Sequence, residues 1–285
     1  MNGCEIMTDN TAQKNSPAYR LAALDPEFLL SDGMRGARLY LEYEKAEARL
    51  RDWGVRSTVV VFGSARVLPG GAPDENVSTA SLPPGAKPRP GSRSAFWYEQ
   101  ARVFGRIASE RGGALTIEGG VRDHVIATGG GPGIMEAANR GAAEAGAPSI
   151  GFNIGLPREQ EPNAFTTPEL TFQFHYFAVR KFHFAMRANA LVVFPGGFGT
   201  LDELFELLTL MQTVKMRRIP VVLVDKSYWT GIVNFERLAE EEMISPGDLN
   251  LFSYAEDAEG AWSALVRGGL KPGPRPPGYP SLSLS

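Results

Sequence analysis

The sequence holds a single cysteine, Cys4, and three scattered histidines among 285 residues. One thiol excludes an internal disulfide framework, and histidines at 124, 175 and 183 offer no metal-ligand spacing, so neither a metal nor another cofactor is expected. No excess of basic charge is present either: 29 Lys and Arg against 32 Asp and Glu give a net charge of −3, without the basic face that a nucleic-acid-binding protein uses. No apolar run approaches the roughly 18 to 20 residues of a membrane span. The opening Met1 to Asp9 lacks the basic and apolar segments of a secretion signal. These absences lead us to expect a cytoplasmic protein with no membrane or nucleic-acid partner.

What is present is an α/β pattern. With 43% apolar residues the chain can bury a substantial core. Residues 1–33 and 271–285 read as flexible tails around one domain at 34–270, with a core at about 57–225. Leu39, Tyr40, Tyr43, Ala46 and Leu50 recur at helical spacing between Met34 and Trp53, predicting an amphipathic helix ahead of that core. Strands are then predicted at 58–62, 150–154, 190–194 and 219–224, with an extended pair around 114–127. Helices are predicted at 96–111, 132–146, 175–188 and 201–215. Near-continuously apolar strands alternating with helices mean a parallel sheet covered on both faces: a Rossmann-like, doubly wound, three-layer α/β/α sandwich. The Pro-, Gly- and Ser-rich stretch at 67–94 is too long and polar for an ordinary βα connection and reads as an insertion.

Ligands of open parallel sheets bind beyond the carboxyl ends of the strands, and three of these ends are glycine-rich: Gly63-Ser64-Ala65-Arg66, Thr128 to Glu136, and Pro195 to Glu203. The third runs from a strand through Gly196, Gly197 and Gly199 into a helix, the combination that gathers backbone N–H groups and a helix dipole around a phosphate. A purely structural reading also exists: Thr200-Leu201-Asp202-Glu203 spells a capping box, with Thr200 as cap and Glu203 reaching back. The clusters match neither the dinucleotide fingerprint nor a P-loop, which argues against hydride transfer and triphosphate chemistry.

Gly129-Gly130-Gly131-Pro132-Gly133-Ile134-Met135-Glu136-Ala137-Ala138-Asn139, the pair Arg180-Lys181, and Pro195-Gly196-Gly197-Phe198-Gly199-Thr200-Leu201-Asp202-Glu203 together resemble the LOG ("Lonely Guy") family, whose members are often labelled possible lysine decarboxylases. The resemblance implies a nucleoside 5′-monophosphate phosphoribohydrolase. Such an enzyme hydrolyses the N-glycosidic bond of AMP or of a cytokinin riboside monophosphate, giving free base and ribose 5-phosphate. It further implies that Gly196, Gly197, Gly199 and Thr200 hold the 5′-phosphate, that Glu203 and Arg180 form the catalytic pair, and that the protein is a homodimer or larger homo-oligomer with sites near the subunit contact. Lys181, Gly130, Gly131, Ser64, Met135 and Asn139 are candidate substrate contacts. For Ser64 a turn cap, and for Met135 and Asn139 helix packing, are the structural alternatives. Asp202 and Glu206 lie near by helical spacing.

The residue types suit the reaction, because cleavage of a ribosyl–base bond builds positive charge on the sugar that a nearby carboxylate stabilises. Where the plant form carries Met-His ahead of the Arg-Lys pair, this chain has Phe177-Ala178-Val179, so the preferred base is not specified. The alternative from another functional class is a nucleotide-binding regulatory protein without turnover. Lysine decarboxylation is disfavoured, since pyridoxal phosphate chemistry needs a Schiff-base lysine in a setting this chain lacks.

Overall fold

The computed structural model describes residues 9–69, 93–115, 120–155 and 161–271. Most of the expected insertion, and the ends of both expected tails (1–8 and 272–285), fall outside them.

The first elements, α1 (Thr11–Lys14) and α2 (Pro26–Leu30), lie in the stretch read as a flexible tail. Asp25 caps α2 by accepting from the Phe28 amide, a local signal that outweighs the lack of periodicity. Helix α3 (Arg35–Asp52) follows, burying Ala46 and Leu50 as its spacing predicts, whereas Tyr40 of the same pattern faces solvent. Then β1 (Thr58–Phe62), α4 (Arg93–Gly112), β2 (Val125–Thr128), α5 (Ile134–Glu144), β3 (Ser149–Ile154), β4 (Thr171–Phe174), α6 (Phe177–Met186), β5 (Ala188–Val193), α7 (Phe198–Gln212), β6 (Val221–Val224), α8 (Lys226–Ile232), α9 (Phe235–Glu240), β7 (Ser253–Ala255) and α10 (Ala258–Arg267) alternate to the end. The extended pair expected around 114–127 contributes one strand, β2, preceded by an isolated bridge between Val55 and Arg122.

The seven strands of the described residues are all parallel, in the order β4-β3-β2-β1-β5-β6-β7. Side chains alternate across a strand, so one strand feeds both cores. Val60 and Phe62 join the layer under α3, α6 and α7 with Phe152, Phe184 and Leu204, while Val59 and Val61 join Tyr98, Phe104, Ile134 and Trp262 on the α4, α5 and α10 face. This is the expected three-layer α/β/α sandwich.

From β1 the chain winds outward through β2, β3 and β4; α6 then carries it back so that β5 lies against the other side of β1. The winding direction therefore reverses between β1 and β5. At such a switch point the loops after neighbouring strands part and leave a crevice beyond their carboxyl ends.

Candidate active site

The three glycine-rich turns follow β1, β2 and β5, which are adjacent strands, and they meet at Ser64. Its amide donates to the Pro195 carbonyl at 3.0 Å, and its carbonyl accepts from the Ile134 amide at 3.1 Å. Gly133, at φ +74°, packs on that Ser64 carbonyl, leaving no room for a side chain. The Ser64 hydroxyl accepts from the Arg66 amide at 3.0 Å, so Ser64 is both the local turn cap and the stitch between the turns.

Helix α7 opens three residues earlier than the sequence suggests. Its N-cap is Gly197 and no side chain caps it. The amides of Thr200 and Leu201 both donate to the Gly197 carbonyl at 3.0 Å. Thr200 is thus already inside the helix, and the capping box does not form: the glycine turn itself supplies the helix entry, and Glu203 reaches elsewhere. Ahead of Thr200, the Phe198 and Gly199 amides belong to the first turn, where no intrahelical acceptor exists. Space is open where a side chain on Gly197 or Gly199 would project. Gly196, by contrast, lies against the buried Thr200 side chain, and its carbonyl accepts from the Tyr228 hydroxyl at 2.7 Å. The result is a firmly held turn with exposed amides at the positive end of a helix, an arrangement that can bind an anion.

One turn further along α7, Glu203 is buried, its carboxylate between two cations of α6. Arg180 Nη1 stands 3.9 Å from Oε1 and Lys181 Nζ 3.6 Å from Oε2. Burial pushes the Glu203 carboxyl above its ordinary value despite Lys181 and Arg180, with Glu206 and Asp202 adding to the rise. No hydrogen bond satisfies this carboxylate among the described residues, so its oxygens remain free acceptors.

Arg180 is held independently. Its Nε donates to the Phe152 carbonyl at 2.7 Å, its guanidinium lies 5.1 Å from the Phe184 ring centre, and a methyl group on Gly129 would sit 2.6 Å from Nη2. Lys181 is placed differently from its expected role as a substrate contact. Its ammonium lies 2.7 Å from Glu206, 2.9 Å from Asp202 and 3.6 Å from Glu203, which engages it with three carboxylates of α7. Burial lowers its pKa, but the hydrogen bonds to Glu206 and Asp202 more than restore it, leaving the ammonium above its ordinary value. The geometry makes Lys181 the clamp between α6 and α7.

Residues 135–265 match the model of the family described as "Possible lysine decarboxylase". A protein of Arabidopsis thaliana named cytokinin riboside 5′-monophosphate phosphoribohydrolase LOG7 is 34% identical over 82 residues, 28% of this chain and 37% of that one. A Rhodococcoides fascians protein named cytokinin riboside 5′-monophosphate phosphoribohydrolase is 32% identical over 92 residues, 32% of this chain and 46% of its own length. Over part of its length this chain is similar to the LOG proteins. It spans less than half the length of these two curated LOG relatives. Among solved structures, the structural-genomics target TM1055 aligns with a TM-score of 0.46 at 19% identity, over 74% of this chain and 99% of that one.

The family match takes in Met135, Asn139, Arg180, Lys181, the Pro195 to Thr200 turn and Glu203, and stops short of Ser64, Gly130 and Gly131. These residues divide by position. Met135 is half-buried, its sulfur beside Gly129 at the edge of the crevice. Asn139 is fully buried: its Oδ1 accepts from the Thr128 hydroxyl at 2.7 Å and from Asn163 Nδ2 at 3.0 Å. It supports the glycine loop from beneath instead of facing a substrate. Gly130 and Gly131 are likewise enclosed, their carbonyls accepting from Asn163 Nδ2 at 3.1 and 3.0 Å, so they shape the wall through their fold.

Three residues of this crevice escaped sequence reasoning. Asn163 holds the glycine loop from a segment with no periodicity. Tyr228 holds Gly196 from α8. Asn153 packs its amide on Gly130, with Nδ2 buried and lacking a partner among the described residues. The one available signal was polar asparagine within the apolar strand Ser149–Ile154.

Among the described residues, no helix is long and apolar enough to cross a membrane, and no cluster of three or more His, Cys, Asp or Glu forms a metal site.

Proposed function

We propose that this protein hydrolyses the N-glycosidic bond of a purine nucleoside 5′-monophosphate, AMP or a cytokinin riboside monophosphate, to free base and ribose 5-phosphate. The observation that carries the reading is Glu203: a buried carboxylate without a hydrogen bond, held between Arg180 and Lys181 one turn beyond an open helix start. The 5′-phosphate would lie on the Phe198 and Gly199 amides. A helix rises 1.5 Å per residue, so Glu203 sits roughly 6 to 7.5 Å further along the axis, and helical side chains lean back toward the amino end. That brings the carboxylate toward the sugar of a nucleotide whose phosphate is anchored at the turn.

As the ribosyl–base bond lengthens, the ionised Glu203 stabilises the cationic sugar and orients a water molecule toward C1′. Arg180, fixed by Phe152 and bordered by Gly129 and Met135, directs the carboxylate and forms the wall on which the base rests. Incubation with AMP and with isopentenyladenosine monophosphate should release free base. Binding without base release across a broad nucleotide panel would favour the regulatory reading.

The lysine decarboxylase description does not suit these residues. A Schiff base forms from a neutral amine, yet Lys181, the lysine of this site, is flanked by three carboxylates that keep it charged. The residues do not fit pyridoxal phosphate.

We also propose self-association through the outer faces of α6 and α7. Phe198 is 93% exposed, and Phe177, Phe182 and Phe205 are exposed nearby, an apolar surface beside the site that a second copy would cover. Sedimentation of wild type and of Phe198→Glu tests it; a monomeric wild type would refute it.

A further inference from the structure

Helix α3 precedes the sheet in sequence and contributes no strand, yet it is bonded to α6 along that helix's length. The N-cap of α6, Tyr176, supplies no side-chain cap. Glu42 of α3 supplies one instead, its two carboxylate oxygens accepting from the main-chain amides of His175 and Tyr176 at 2.9 and 3.1 Å. One turn earlier, Arg38 donates from Nε to the Tyr176 hydroxyl at 3.1 Å, and is itself anchored on the Leu29 and Ser31 carbonyls at 2.8 and 2.6 Å. Mid-helix, Tyr43 stacks on His183 with ring centres 5.3 Å apart. At the far end Arg187, the C-cap of α6, forks onto Glu47 at 2.6 and 2.7 Å.

Residues 38 and 42, and 43 and 47, are i and i+4 pairs, so each pair forms one ridge of α3 and the two ridges together hold α6 at its start, middle and end. A ten-residue helix such as α6 is marginal alone and takes its position from tertiary contacts. The carboxylate at its amino end is favoured both by charge-assisted hydrogen bonds and by the helix dipole. Arg180 and Lys181 stand one turn beyond that capped end, and both face Glu203 across contacts of 3.6 to 3.9 Å, which an ångström of drift would break.

We infer that α3 is a brace for the site helix and that Glu42 is a positioning residue: by fixing the amino end of α6 it sets the placement of Arg180 and Lys181 against Glu203. The kinetic part of this inference rests on the hydrolase reading above; the structural part does not.

The test compares wild type, Glu42→Ala and Glu42→Gln in the full chain. In Glu42→Ala, kcat for AMP should fall about tenfold, the scale of losing a helix cap. Inhibition by ribose 5-phosphate should stay within about twofold of wild type, because the phosphate site belongs to α7. Glu42→Gln keeps one acceptor and should fall between. Independently, hydrogen exchange of the backbone amides at 177–181 should accelerate about tenfold in Glu42→Ala, with α5 and α10 unchanged. Unchanged exchange in α6, equal loosening of α5 and α10, or a loosened α6 with unaltered kcat would each overturn the inference. Were wild type to release no base at all, the hydrolase reading would fail, and the exchange result would still decide whether α3 braces α6.

Discussion

Replacing Glu203 with glutamine removes one charge and little else. The side chain is buried and of matching shape, and it makes only two contacts with cations, at 3.6 and 3.9 Å. Because burial holds the carboxyl above its ordinary value, ionising it is less favourable in the folded state than in water. A neutral amide there should leave thermal stability at pH 7 unchanged or slightly raised, as expected where a site is kept at the expense of stability. The catalytic effect should be large. A unit positive charge developing about 4 Å from the carboxylate, at the effective dielectric of a partly buried site, is worth about 4 kcal/mol. Each factor of ten in rate corresponds to about 1.4 kcal/mol, so kcat should fall by about 10² to 10³, the range found for removing a preorganised electrostatic group. AMP affinity should stay within about threefold, since the proposed phosphate contacts are main-chain amides of α7. The assay is single-turnover release of adenine, with affinity from equilibrium titration. A variant within threefold of the wild-type rate would refute the reasoning and leave Glu203 a packing residue.

Other consequences are as direct. Glu203 acts ionised, so the acid limb of kcat should lie above the ordinary carboxylate value of 4.5, with activity rising as pH rises through it; Lys181→Met, which removes a cation that lowers this pKa, should move the limb to higher pH. An unmoved limb in the rate profile would refute the pairing. Gly129→Ala places a methyl group 2.6 Å from the Arg180 guanidinium and 2.7 Å from the Met135 sulfur, both ends of flexible side chains. It should cost less than about 1 kcal/mol in denaturant unfolding while lowering kcat on the order of tenfold, and an unaltered kcat would separate Arg180 from the reaction. Burial pulls the His183 imidazole from 6.5 down to about 4, so the unfolded chain binds the extra proton between these values. The stability lost as pH falls through that window is roughly 3 kcal/mol, and His183→Phe should flatten the acid limb of Tm between pH 7 and 4; a limb as steep as wild type's would exclude His183 as its source.

Much of this was legible because the pattern was local. Apolar runs such as Val59–Phe62 and Leu191–Val193 can only be strands buried on both faces, and the glycines after β1, β2 and β5 marked their carboxyl ends. Legibility failed where an interaction is long-range. Helix α7 begins at Phe198 because the turn held by Ser64 and Tyr228 presents Gly197 as the cap, and the competing Thr200 capping box is a local signal that tertiary contacts override. Lys181 read as a candidate substrate contact because it stands beside Arg180 in the motif, and a lysine there faces anions. It does face anions, but they are carboxylates one and two turns along the neighbouring helix, a pairing visible only once α6 and α7 are packed together. Glu42 was one charge among many on an amphipathic helix, and nothing within α3 hints that it caps a helix about 130 residues away.

The charges of the crevice are arranged in opposition, and this bears on which ligand they suit. At the start of α7 the exposed amides and the helix dipole present positive potential. One turn on, two cations and three carboxylates stand together, Arg180 and Lys181 against Asp202, Glu203 and Glu206, a cluster with one net negative charge. A simple phosphate-binding protein gains nothing from a buried acid beside its anion, because like charge weakens the binding and burial destabilises the acid. The arrangement suits a guest that is anionic at one end and becomes cationic at the other. A nucleoside monophosphate losing its base is such a guest, since the phosphate is negative throughout and the sugar turns positive as the bond lengthens. In the proposed reaction the buried acid would therefore contribute more at the transition state than in the ground state, which is the condition for an interaction to raise kcat instead of merely tightening binding.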